Sequence, residues 1–278
     1  MKKLLFIGLM FPYLHCLAQS EEDTVLDSVL DELFQIDSAM VDLSQNHYLY
    51  TTFSFDESVF FAGRDFEIDQ FGFTPSISYM QGQNFFVSLG SAYFSELDPN
   101  WDFISISSGY SLFLDRMEHF SITGIYSRVF FSVDAEGLNP NRLSASLSYR
   151  KNRSRMRLSV GYLFGGSTSF YTAASGSYEF SILENTRGQI IFNPQLNFLM
   201  SEQTVSEQIT SGLFNNQTIE TDVFDLINTQ LSLPVQWDTG QWDFELSYNI
   251  NFPKALSSEN DLNTSGYFTV SIGYFSAL

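Results

Sequence analysis

From His47 onward, apolar and polar residues alternate with a period of two. Trp242, Phe244, Leu246, Tyr248, Ile250 and Phe252 are separated by Asp243, Glu245, Ser247, Asn249 and Asn251. Alternation at 180° per residue gives a strand with one apolar and one polar face. Met156, Leu158, Val160 and Tyr162 alternate in the same way with Arg155, Arg157, Ser159 and Gly161. So do Ile190, Phe192, Leu196 and Phe198 with Gln189, Asn193 and Asn197. The pattern predicts about twelve strands, within a range of ten to fourteen. Their spans are 47–56, 69–80, 85–94, 101–114, 119–132, 142–151, 154–164, 169–182, 189–200, 223–237, 241–252 and 266–277. Most have ten or more residues, whereas strands of soluble proteins usually have about 5–6. A strand crossing a bilayer at its usual tilt needs about 9–11.

The links between these strands alternate in length. Residues 81–84, 115–118, 151–153, 184–188 and 238–240 make tight turns, and 57–68, 95–100, 133–141, 165–168, 201–222 and 253–265 make the other links. An even number of strands with short turns at one end describes an antiparallel up-and-down barrel spanning a membrane. Aromatic residues crowd the expected strand ends, including Tyr48, Tyr50, Tyr79, Phe85, Tyr93, Trp101, Tyr149, Trp237, Trp242 and Tyr274. Three prolines, Pro75, Pro194 and Pro234, fall inside expected strands, where each removes a ladder donor. The apolar phase slips in the fifth strand between Ile122 and Ile125, which predicts a bulge near Gly124.

The first 46 residues follow other periods. Lys2 and Lys3 precede an apolar run from Leu4 to Leu14, and Ala18 offers a small residue for cleavage, so residues 1–18 read as a signal peptide. Cys16, the chain's one cysteine, falls inside that segment. In 19–46, Leu26, Leu33 and Met40 are seven apart, and so are Val29, Ile36 and Leu43. The stripe predicts a short amphipathic helix, lying against one end of the barrel or docking a partner. The barrel itself would be 47–278.

Composition adds polarity to this picture. Aromatics make up 17% of the chain and charged residues 16%, and the net charge is -19. Removing Lys2 and Lys3 with the signal would take it to -21. Such a charge opposes nucleic-acid binding. The few cations are concentrated. Arg142, Arg150, Arg155 and Arg157 share the polar face of the sixth and seventh strands, and Lys151 and Arg153 lie in the turn between them. Glu179, Asp243 and Glu245 are expected on the polar faces of the eighth and eleventh. These seven are candidate pore-lining residues: they either separate charge across an open lumen or fill it with ion pairs. After residue 18 only His47 and His119 remain for imidazole chemistry. Neither G-x-S-x-G nor H-E-x-x-H occurs, so no catalytic residue, metal or cofactor is expected.

Taken together, the LAQ ending of the leader, the alternating strands and the final run Gly266 to Leu278 resemble Bacteroidota-type, porin-like outer-membrane β-barrels. The resemblance is one of architecture over the whole chain and brings no motif. It implies a Gram-negative outer-membrane location, with both termini in the periplasm. The partners implied are membrane lipids and lipopolysaccharide, and the barrel-assembly machinery during insertion. The function implied is a passive channel for small solutes or ions. The alternative is a non-conducting structural or assembly subunit that docks partners through loop 201–222 or through Leu26, Val29, Leu33, Ile36, Met40 and Leu43.

Overall fold

The computed structural model describes residues 47–278, apart from 61, 65–67, 133–137, 187, 211–215 and 257–261. The signal peptide and the amphipathic helix expected over 1–46 lie outside the described residues.

The strands are β1 (His47–Asp56), β2 (Gly72–Gln81), β3 (Phe85–Phe94), β4 (Trp101–Phe113), β5 (Phe120–Phe131), β6 (Asn141–Lys151), β7 (Ser154–Phe164), β8 (Ser169–Tyr178), β9 (Phe180–Asn185), β10 (Gly188–Phe192), β11 (Gln195–Thr210), β12 (Asn216–Asp238), β13 (Trp242–Pro253) and β14 (Ser265–Ala277). Neighbouring strands pair antiparallel, and β1 closes on β14 from Tyr48 opposite Ala277 to Asp56 opposite Thr269. The ring has twelve staves, because two staves are each broken into two strands. β8 continues as β9 beyond Glu179, and β10 continues as β11 beyond Asn193 and Pro194. Pro194 has no N–H to give the ladder. At the gap its carbonyl accepts from the Tyr178 amide at 3.3 Å, and the Asn193 amide donates to the Pro234 carbonyl at 3.2 Å. The expected strands 169–182 and 189–200 are therefore single staves with a proline-centred break.

Two expectations are corrected. There is no bulge near Gly124: β5 keeps one register with β4 from Phe103–Phe131 to Phe113–Ser121, and with β6 from Phe120–Tyr149 to Arg128–Asn141. The apolar phase changes because Ile125 and Val129 point inward and are buried, while Arg128 points outward. Residues 201–210 and 216–222, expected as loop, are strand. β11 and β12 stay paired to Thr210 opposite Asn216, well past the last row shared with β8 (Ser201–Tyr171) or β13 (Asn228–Pro253). At about 3.3 Å per row, this hairpin stands roughly 30 Å beyond the wall.

Burial is inverted relative to a soluble protein. Leu143, Leu158, Val160, Ile104 and Leu246 point outward, each more than half or about half exposed, while Ser78, Ser107 and Ser127 point inward and are buried. The outer surface is thus an apolar belt. Aromatic contacts rim it at both ends: Trp242–Tyr274 (4.7 Å) and Phe120–Tyr149 (4.8 Å) at the tight turns, Tyr93–Trp101 (5.4 Å) and Tyr248–Phe268 (4.8 Å) at the long loops. Tyr48 and Tyr50 do not belong to these rims. Both point inward and are buried, with Tyr48 stacked on Phe275 at 4.9 Å.

Candidate functional site: the barrel interior

The midsection of the interior is lined by small hydroxyls and by amides. Hydroxyls pair across strands on the β14–β5 side: Ser54–Ser271 at 2.7 Å, Thr52–Ser76 at 2.7 Å, Ser78–Ser88 at 2.7 Å, Ser107–Ser127 at 3.0 Å and Ser111–Thr123 at 2.8 Å. The β11–β14 side carries amides. Asn228 donates to Asn251 (3.1 Å), Asn249 to Thr269 (2.9 Å) and Gln236 to Glu245 (2.8 Å). Cross-strand pairing gives each of these side chains a partner on the wall itself.

Aromatic rings on the inner face lie against glycines of the adjacent strand. The Tyr171 ring occupies the space a Cβ on Gly161 would need, and the Phe86 ring does the same at Gly109. A side chain at either glycine would push the ring toward the axis.

The arginines fall into two groups. Asn152, with φ of 53°, turns β6 into β7 and sets Arg150 opposite Arg155 and Ser148 opposite Arg157. Like charges directly opposite on a ladder repel. Glu179, at the break after β8, offsets one of them through a 3.2 Å bond from Arg155 Nη2, and Arg157 Nε donates to Ser148 at 3.3 Å. Arg150, Arg155 and Arg157 converge on a cavity of about 470 Å³ at the tight-turn end, which Phe86, Phe113 and Met117 also line. Arg142 is not part of it. It is buried at the far end of β6, between Ser127 and Leu163, so the expected single basic strip is split by the length of a stave.

Asp243 and Glu245 point inward from β13 at the same end as the cavity. Tyr50 donates to Asp243 at 3.3 Å, and Gln236 holds Glu245. β13 is four staves from β7 and five from β6 in the ring of twelve. Three arginines and two carboxylates therefore face the axis from well-separated sectors. Glu179 does not face the arginines across the lumen; it is the neighbour of Arg155.

The long-loop end holds an apolar cluster that the alternation did not reveal. Ala92, Phe94, Phe103 and Val129 form a buried cluster, with Val59, Leu97 and Phe131 against it. The first long loop packs onto this cluster. The Val59 amide bonds the Gln70 carbonyl (3.2 Å), Phe60 meets Tyr267 (5.4 Å), and Arg64 Nη2 donates to the Lys254 carbonyl (3.3 Å). Gly63 turns with φ of 76° and approaches Asn228 so closely that a Cβ would strike its side chain. The signal in the sequence was the slipped phase of β5, which reports apolar residues facing inward.

Above the wall, beyond the rows β12 shares with β13, Lys254 Nζ bonds both Asp225 carboxylate oxygens, at 2.7 and 2.8 Å. That ammonium, with the Leu226 amide, holds the Asp225 carboxyl below the usual carboxylate range. His47 bonds the Tyr79 hydroxyl, and His119 lies 3.5 Å from Asp115. Both histidines are at the tight-turn rim. Among the described residues no group of three or more His, Cys, Asp or Glu side chains could hold a metal ion.

Compared by sequence, the chain matches no family model and no curated protein. Compared by structure, it is similar to several barrels. The KdgM porin in complex with disordered oligogalacturonate is 10% identical, with 82% of this chain and 98% of that chain covered and a TM-score of 0.46. The NanC porin is 10% identical, covering 81% and 98%, with a TM-score of 0.47. An outer membrane channel from Pseudomonas putida F1 is 10% identical, covering 84% and 96%, with a TM-score of 0.47.

Proposed function

We propose that this chain is an outer-membrane channel that admits small solutes passively. The observation that carries the reading is the inverted barrel. Its outer surface is apolar and rimmed by aromatics, and its inner surface, away from the apolar cluster at the long-loop end, carries hydroxyls, amides and three clustered arginines. In water the apolar belt would drive aggregation, whereas in a bilayer it is matched to its surroundings. Nine of the twelve staves have 10–13 residues; at about 3.3 Å per residue and a tilt of about 40° they stand about 25–33 Å tall, close to the hydrocarbon thickness. The arginines face Asp243 and Glu245 across the lumen, an arrangement that orients charged solutes.

Both barrel ends meet at the tight turns, where the Leu278 amide donates to the His47 carbonyl at 2.8 Å. By the usual topology of such barrels this is the periplasmic end, and the long loops with the β11–β12 hairpin face outward. Conductance of the refolded protein in a planar bilayer tests the reading. Discrete steps are expected, and their anion-to-cation permeability ratio should fall in R150S/R155S/R157S. Folded protein that inserts without conducting would overturn it in favour of a structural subunit. For that role the hairpin standing beyond the wall is the available docking element.

A further inference from the structure

We propose that the outer face of the barrel, at the long-loop end, carries a binding site for a lipid with a phosphate headgroup, built on Arg128. The inference rests on the bilayer embedding proposed above and not on conduction. Among the described residues, Arg128 is the one arginine that a strand points outward. It is exposed, and its neighbours on that face, Ile106 across the ladder and Phe130 along β5, are exposed and apolar. It pairs with Asn141 in the last row that β5 shares with β6. After allowing for tilt, that row stands about 20 Å above Phe120 at the opposite rim. A long cationic side chain starting there reaches the headgroup level, where a charge on a barrel wall is tolerated far better than at the midplane.

The guanidinium is held in place. Its Nη1 donates to Asn141 Oδ1 at 3.3 Å, and its Cζ lies 5.4 Å from the centre of the Phe130 ring. Asn141 is fixed in turn: Oδ1 also accepts from the Tyr126 hydroxyl at 2.8 Å, and Nδ2 donates to the Phe164 carbonyl at 3.2 Å. A guanidinium carries five N–H donors in a planar fork. One is turned to Asn141, and among the described residues no carboxylate pairs with Arg128. The fork therefore presents donors to the membrane side, where a phosphate accepts two of them in parallel.

A recess beneath the arginine favours a lipid over a free anion. Toward the tight turns, the next outward positions of β5 after Arg128 are Tyr126 and Gly124. Gly124 sits opposite Tyr110 on β4 and Ala145 on β6, and Ala145 also faces outward. A Cβ on Gly124 would meet nothing within 4 Å. Glycine and alanine side by side thus leave a shallow apolar depression beside the rings of Tyr110 and Tyr126, about 10 Å below Arg128 along the membrane normal. A lipid whose phosphate engages Arg128 lays its acyl methylenes there, so charge and apolar surface are matched by one molecule.

Native mass spectrometry of the refolded full chain in detergent micelles, titrated with phosphatidic acid, tests the site. Wild type should retain one phosphatidic acid roughly ten-fold more tightly than phosphatidylcholine. Arg128→Gln should lose that preference and Arg128→Lys should keep part of it. Gly124→Leu fills the recess, leaves the charge in place, and should weaken retention several-fold. Equal retention of the two lipids by wild type, or of phosphatidic acid by wild type and Arg128→Gln, overturns the site. Displacement of phosphatidic acid by excess inorganic phosphate, with Gly124→Leu binding as wild type does, overturns the lipid assignment in favour of a free anion. Carbonate washing of protein reconstituted into vesicles separates this inference from the embedding it rests on. Protein released to the supernatant refutes the embedding. Protein that stays in the bilayer but shows no preference for phosphatidic acid refutes the arginine site alone.

Discussion

An arginine placed on the outward face distinguishes a barrel in a bilayer from one in water. Val160 is the clearest position. It points outward, is 51% exposed, and sits near the middle of β7 between Ala145 and Thr172. In a soluble protein, Val→Arg at an exposed site with no special contacts changes stability by about 0.5 kcal/mol at most. On a membrane barrel, arginine at the midplane costs about 2–4 kcal/mol, falling to about 0–1 near the interfaces. Met156 provides the interface control on the same strand and face. It is four residues nearer the turn, about 10 Å along the membrane normal after allowing for tilt. V160R should thus be less stable than M156R by about 2–3 kcal/mol, a 30- to 150-fold change in the folding equilibrium. Urea titration of the protein refolded into lipid vesicles, read by tryptophan fluorescence, measures the difference. If both variants fall within about 0.5 kcal/mol of wild type, the outer face does not contact hydrocarbon and the membrane assignment fails.

Other expectations concern the interior. Gly161→Ala should cost about 1–3 kcal/mol by overpacking against Tyr171, and adding Tyr171→Ala should recover part of that loss. Phe103→Ala empties the apolar cluster at the long-loop end and should cost about 3–5 kcal/mol in the same titration; wild-type stability would mean the cluster adds no packing energy. Lys254→Ala should return the Asp225 carboxyl upward toward the usual range, seen by NMR titration of a labelled aspartate. Because the folded pKa of Asp225 is depressed, any contribution of this exposed pair is present above the ordinary carboxylate pKa and lost as pH falls through the folded value. A destabilisation on mutation that grows at low pH would contradict that sign.

The wall was legible in the sequence, and what fills it was legible only in part. Residues 154–164 alternate cleanly because each outward position meets one uniform environment, so Leu158 and Val160 report the fold directly. The interior is not uniform. Near the tight turns it is polar and charged, and Arg150, Arg155 and Arg157 could be placed together from the two-residue turn between their strands. Near the long loops it is apolar. There Val129 and Phe103 face inward against a loop whose return into the lumen leaves no periodic mark. Read as a strand with one wet face, β5 demanded a bulge; the backbone instead kept its register and the environment changed. Arg142 misled for a related reason, since sharing a face with Arg150 says nothing about the eight residues of height between them. The break at Pro194 follows from a missing donor, whereas Pro75 and Pro234 lie inside β2 and β12 without dividing them.

The closure of β1 on β14 bears on how such a ring is built. Every other joint among the described strands links staves that follow one another in the chain. At the seam, Tyr48 meets Ala277. Local joints form with little loss of chain freedom, whereas the seam must gather almost the whole polypeptide first. Until it does, two unpaired edges with apolar outer faces are open to any other strand. The seam is thus where assembly is slowest and most easily misdirected, and where a helper that holds a strand edge would act.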